Sequence, residues 1–317
     1  VELALGLNAF ITAQGFSLIG MLSVVIGAVI NIALDPLFIY GFGLGVAGAA
    51  IATVLSQAVS AIWVLRFLCS KKSKIRIRKK YFRLRRRVIL PVMALGISPF
   101  IMQSTESLVN IALNSSLQRY GGDVAVGAMT ILGSVMQFCM MPLQGLTQGA
   151  QPIISFNYGA HRNDRVKQAF RYLLTVSLSY SALLWCVSMF APQVFVAMFT
   201  SKAALFDKAV WALRIYMAGS LFFGIQIACQ QTFVALGQAK VSLLMALLRK
   251  IVLLIPFVYI LPCFFADKVF AVFLAEPVAD VLASLTTGTV FLILIPRILR
   301  RGPENTNKGE SHASPAK

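Results

Sequence analysis

Apolar residues gather in eight runs long enough to cross a bilayer, each closed by a cluster of Gly, Pro or charge. A hydrocarbon core about 30 Å thick needs roughly 20 residues of helix. By that length the runs predict helices over 18–40, 44–68, 90–118, 124–150, 169–192, 209–236, 241–262 and 269–297. Only helices and closed barrels satisfy their backbone polar groups inside lipid, and these runs are too long and too evenly apolar for barrel strands. The chain is therefore expected to be an all-α polytopic membrane protein with eight transmembrane helices.

Composition strengthens that class. At 58% hydrophobic and 13% charged residues, a soluble domain would be an outlier. The net charge of +18 invites a nucleic-acid reading. However, most of the 29 Lys and Arg residues fall in 66–87, 162–171, position 240 and 297–317, the segments that share one side if the eight spans alternate. The positive-inside rule makes that side cytoplasmic, C-terminus included, so the charge reports orientation and contact with anionic lipid; no nucleic-acid partner is expected. The five cysteines form no CxxC pair and the chain has two histidines, which supports neither a disulfide framework nor a zinc site.

Two stretches read as copies of one unit. Residues 10–68 run from FITAQG through a span, a DP pair, a Gly-rich turn and a span with ATVLSQ; residues 232–294 run from TFVALG through a span with LIPF, a short turn and a span with AEPVAD. Four further spans precede the second copy and almost nothing precedes the first. The organisation expected is a remnant of an N-terminal lobe (1–69, two helices), a basic cytoplasmic linker (70–88), a complete six-helix C-terminal lobe (89–298) and a disordered cytoplasmic tail (299–317). Repeated helical lobes with a site between them are a common transporter plan.

Ionisable residues are expensive inside a membrane and mark a pathway or a pair. Four acidic residues fall within predicted spans: Asp35, Glu106, Glu276 and Asp280. Gln103, Glu106, Asn110 and Asn114 follow one another at helical spacing and share one narrow face. A carboxylate flanked by carboxamides can take a cation or a proton and hydrogen-bond a substrate, and Glu106 shows no cationic partner at its own depth. Gln137, Gln144, Gln148 and Gln151 make a matching stripe, with Pro142 expected to kink the helix and Met136, Met140 and Met141 nearby. Gln226 and Gln230 lie one turn apart in the sixth span. The alternative for every stripe is a hydrogen-bonded seam between helices. Asp280, Arg249 and Lys250 count to similar depths on antiparallel neighbours and are expected to form a structural or gating ion pair, unless the cations snorkel to the interface. Asp35, with Asn31 one turn below, is a cation-binding candidate or a local backbone cap. Nothing points to an enzyme, since His161 has no partnered nucleophile in sequence and GFGLGVAG (41–48) joins two spans instead of a strand to a helix.

FITAQG, LDPLFIY and GLGVAGAAIATVLSQ resemble the fifth and sixth helices of the MATE (multidrug and toxic compound extrusion) family. PLQGLTQGAQPIISFNYGA (142–160), FVALGQAK (233–240) and AEPVAD (275–280) resemble its eighth, tenth and twelfth. The resemblance covers residues 1 to about 298. It implies that the eight spans correspond to helices 5–12 of a two-lobed, twelve-helix antiporter in the bacterial plasma membrane. Such a protein expels small organic, often cationic compounds held between the lobes in exchange for H⁺ or Na⁺, needs no cofactor and touches membrane lipids; no obligate protein partner is inferred. Glu106 matches the seventh-helix glutamate proposed to handle cations in part of the family. The first four helices have no counterpart, so Asn31 and Asp35 would be members of an N-lobe cation site without their first-helix aspartate, and transport would need the missing part. Two other readings stay open: a flippase for lipid-linked oligosaccharides, which calls for a basic cavity, and an inactive membrane remnant.

Overall fold

A computed structural model describes residues 2–75, 86–200 and 202–302, and all regular structure among them is helical. The middle of the basic linker, 76–85, and the tail from 303 onward lie outside the described residues. The chain divides into two units, Val1–Leu90 and Pro91–Lys317.

In the first unit, α1 (Glu2–Ala13) leads through a turn into α2 (Ser17–Pro36), which runs on as a π-helical segment, Leu37–Gly41; α3 (Gly45–Cys69) follows. The helices α2 and α3 meet through small buried residues, Ser23 and Gly27 on one and Ser56 and Ser60 on the other, while Gly20 faces α1 and Gly48 the π-helical segment. Small side chains let backbones approach, which is what holds helices together in lipid. Ser60 Oγ donates across the seam to the Ser23 carbonyl at 2.8 Å. Gln14, the glutamine of FITAQG, ties down the chain as it leaves α3: its Oε1 accepts from the backbone N–H of Lys74 (2.8 Å) and Ile75 (3.1 Å) and from Ser73 Oγ (3.0 Å).

The second unit begins within α4 (Arg86–Gly159), helical throughout except at Gly122, where φ 63° and ψ −162° break it into limbs of 86–121 and 123–159. Such a φ favours glycine. An unbroken helix of that length would reach about 110 Å, so the break is what makes two crossings out of one helical run. The helix continues through Pro142 with helical dihedrals, so the kink expected there is not a break. Next come α5 (Asn163–Phe190), a short α6 (Pro192–Ala197), and α7 (Ala203–Tyr216), which passes through a 3₁₀ segment, Met217–Phe222, into α8 (Phe223–Ala235). After a turn at Gly237 (φ +76°), α9 (Ala239–Leu247), a π-helical segment (Leu248–Leu254) and α10 (Ile255–Phe264) form one continuous span, and α11 (Lys268–Arg301) closes the unit.

Seven helical stretches among the described residues are long and apolar enough to cross a membrane. One of them, Phe100–Gly159, contains the Gly122 break and supplies two crossings, in agreement with the eight spans expected from the sequence. The core of the second unit gathers both limbs of α4 with α7, α10 and α11 around Leu117, Leu132, Leu213, Met217, Val258 and Phe273. A second cluster around Ile154, Val166, Leu173, Leu236 and Leu299 closes its other end. Large apolar side chains such as Ile111, Phe156, Leu183 and Leu292 are exposed, as a lipid-facing surface requires and a soluble surface avoids. The chain is a multi-pass membrane protein.

Candidate functional site

The polar stripes of α4 face inward across a cavity of about 710 Å³ in the second unit. Gln103, Glu106 and Asn110 line it from the first limb, Gln137 and Gln144 from the second, and Gln226 from α8. Met129, Met136 and Met140 soften the wall, and Tyr216 and Phe223 add aromatic surface. The stripes outrun the cavity: Asn114, Gln148 and Gln230 are not among its lining residues. On α4, Asn114 lies one turn beyond Asn110 and Gln148 one turn beyond Gln144, and both are exposed.

Arg249, Lys250 and Glu276 complete the wall. Arg249 and Lys250 sit on the π-helical segment Leu248–Leu254; such wide turns recur at functional sites because they re-aim side chains. Arg249 reaches α11, where Nε and Nη2 both lie 2.6 Å from Asp280 Oδ1 and Nη2 lies 3.1 Å from Glu276 Oε1. Its guanidinium also stands 5.8 Å from the ring centroid of Phe223. Asp280 is fully buried behind the wall.

Two of the sequence expectations need correction. Lys250 does not join Asp280; its ammonium pairs with Glu106, so Glu106 does have a cationic partner. Counting down from Arg119 places Glu106 about 20 Å below the outer surface at 1.5 Å per residue, within a turn of Lys250; that count was available in the sequence. The partner of Asp280 is Arg249, shared with Glu276, which the sequence reading left out of the site. Glu276 and Asp280 are four residues apart and so share a helical face. Tyr216 and Phe223 carried no sequence signal, since aromatics in a span are ordinary core.

Close packing at a glycine sets this geometry. A Cβ at Gly219, in the 3₁₀ segment, would lie 2.9 Å from Pro277 Cα and 3.2 Å from Asp280 Cβ. The bare backbone lets α11 sit against α7 and α8 at the turn that carries both carboxylates.

In the first unit, a separate cavity of about 380 Å³ is lined by Asn31 with Ser23, Thr53, Ser56, Gln57 and Ser60. Asp35 does not line it; Asn31 Nδ2 donates to Asp35 Oδ1 at 3.2 Å. No group of three or more His, Cys, Asp or Glu able to hold a metal occurs among the described residues.

The chain is similar to the multidrug export protein MepA of Staphylococcus aureus (strain N315), 26% identical over 282 residues that make up 88% of this chain and 62% of the relative. The MepA of Staphylococcus saprophyticus is 25% identical over 281 residues with the same coverage. The chain thus spans about 62% of the length of these curated relatives. Among solved structures, MATE in complex with MaL6 superposes with a TM-score of 0.81 at 22% identity, covering 89% of this chain and 63% of that one. The outward-facing conformation of a multidrug resistance MATE family transporter gives 0.80 at 23% identity, with coverage of 89% and 63%. These likenesses concern the fold. The MatE family model matches residues 99–260, more than half the chain and the stretch that carries most of the cavity wall, and the chain belongs to the MatE family.

Proposed function

We propose that this chain forms part of a bacterial multidrug exporter that expels small organic cations from the cell by antiport against H⁺ or Na⁺. Residues 1–69 supply the last two helices of an N-terminal lobe and 89–298 the six-helix C-terminal lobe. The basic linker and the C-terminus face the cytoplasm, as the positive-inside rule requires. Transport of this kind needs no cofactor beyond the coupling ion.

The observation that carries the reading is the cavity in the second unit. Its volume lies in the range of drug-sized pockets, about 300–1,000 Å³. Carboxamides and methionines re-pack around varied shapes, aromatics stack on flat cations, and three carboxylates stand against two cations in and behind the wall. Both cations are engaged by carboxylates, which disfavours the pyrophosphate of a lipid-linked oligosaccharide, and Glu106 on the open side offers an anionic contact to a cationic guest. Glu106 is the coupling candidate on the open side of the wall, with Lys250 as its internal counter-ion. A proton on Glu106 would free Lys250 into the cavity and repel a bound cation. Coupling needs only that proton and substrate prefer different states. Asn31 and Asp35 are the corresponding candidates in the first unit, and membrane lipids are the expected surroundings.

Efflux of ethidium tests this. It would be measured in cells expressing the chain alone, the chain joined behind the four helices that the MATE resemblance implies, and that longer form with Glu106→Gln. Efflux by the longer form that is lost with Glu106→Gln at equal expression supports the reading. Efflux indifferent to Glu106→Gln removes Glu106 from the coupling, and no efflux from any form refutes the transport reading.

A further inference from the structure

We infer that Glu276 and Asp280 hold one proton between them, forming a protonation site on α11 distinct from Glu106. The two carboxylates are one turn apart on the same face and both are bound by Arg249 through one oxygen each, Glu276 Oε1 and Asp280 Oδ1. Their second oxygens, Glu276 Oε2 and Asp280 Oδ2, are buried without a hydrogen-bond partner. Glu276 is 6% exposed and Asp280 0%.

The groups facing the pair from neighbouring elements are few. Arg249 and Lys250 come from the π-helical segment and the buried phenol of Tyr216 from the end of α7. The 3₁₀ segment contributes the Gly219 backbone, and α8 the ring of Phe223. Lys250 is engaged by Glu106 and Tyr216 is neutral at neutral pH, so among the described residues Arg249 alone is ion-paired with the two carboxylates. The triad would carry one net negative charge. A buried charge without a counter-charge is strongly unfavourable even after relaxation, and one proton removes it. In a coupled pair of this kind the proton belongs to the pair and not to either residue. Glu276 lies on the cavity wall and Asp280 behind it, so the proton reaches the pair from the cavity through Glu276. A role for this site in driving transport rests on the antiport reading above; its occupancy by a proton does not.

The test is infrared spectroscopy of the purified chain in detergent at neutral pH, which reads the C=O stretch of a protonated carboxylic acid and its shift in D₂O. The expected result is a band equivalent to one carboxylic acid per chain, lost in Glu276→Gln and in Asp280→Asn and kept in Asp35→Asn. Arg249→Met, which takes away the cation paired with both carboxylates, should increase the band about twofold. Helical circular dichroism and size-exclusion elution check that each variant is folded. Absence of the band in the wild type, or its persistence in both carboxamide variants, overturns the inference. So does loss of the wild-type band when choline chloride is replaced by NaCl, which would make sodium the resident ion. An efflux failure with the band present would sink the transport reading and leave the proton site standing.

Discussion

Replacing Arg249 with Met removes the one cation that answers two buried carboxylates, and its cost can be worked from the structure. Arg249 makes charge-assisted hydrogen bonds of 2.6 and 3.1 Å to the buried carboxylates of Asp280 and Glu276. Removing one partner of a buried ion pair costs about 3–5 kcal/mol, most of it the penalty on the charge left behind. If that is the source of the loss, neutralising the carboxylates as well should restore stability. Arg249→Met combined with Glu276→Gln and Asp280→Asn should therefore lie within about 1–2 kcal/mol of the wild type, because neutral replacement of a buried ion pair is often tolerated. Lowering the pH should likewise shrink the deficit of the single variant, because its folded state holds both acids protonated while the unfolded chain must ionise them, and that difference fades as pH falls towards the ordinary carboxylate range. The assay is unfolding in SDS followed by tryptophan fluorescence, with Trp185 and Trp211 reporting on the second unit. A single variant within about 1 kcal/mol of the wild type, or a triple variant no better than the single, would mean that Arg249 does not stabilise the fold by neutralising these carboxylates.

Other expected outcomes follow from the same geometry. Gly219→Ala should lower the melting temperature in detergent, costing about 1–3 kcal/mol through overpacking against Pro277 and Asp280. Gly133→Ala, on the cavity wall with nothing within 4 Å of the added Cβ, should melt like the wild type. Gly237→Ala, at φ +76°, should cost about 1–2 kcal/mol in the same melt, because an L side chain is strained there. Lys250→Met should cost little stability, about 1 kcal/mol or less, since Glu106 is 48% exposed. It should also tighten ethidium binding by removing the competing ammonium, which fluorescence titration would read.

The spans were legible because run length in lipid is a strict physical constraint, and the turn at Gly122 announced itself in RYGGD (119–123). The inward faces of Gln103, Glu106, Asn110, Gln137 and Gln144 were legible from helical spacing alone. Spacing says which residues share a face but not where a cavity ends, so Asn114, Gln148 and Gln230 were swept in with the rest. The charge network was harder to read. Depth counted from loop ends places Arg249 and Lys250 within a residue of each other, yet they go to different carboxylates on different helices. They stand on a π-helical segment, whose wider turn has no compositional signature and changes where consecutive side chains point. Gly219 was likewise invisible, because a close approach of backbones depends on a partner that sequence distance hides.

If the cavity binds organic cations in competition with a proton, Glu106 is the group that must exchange one for the other. Equilibrium binding of ethidium to the purified chain across a pH series tests it most directly. Affinity should weaken as pH falls in the wild type, and the pH response should be largely lost in Glu106→Gln. Affinity independent of pH, or an identical pH response in Glu106→Gln, would contradict it.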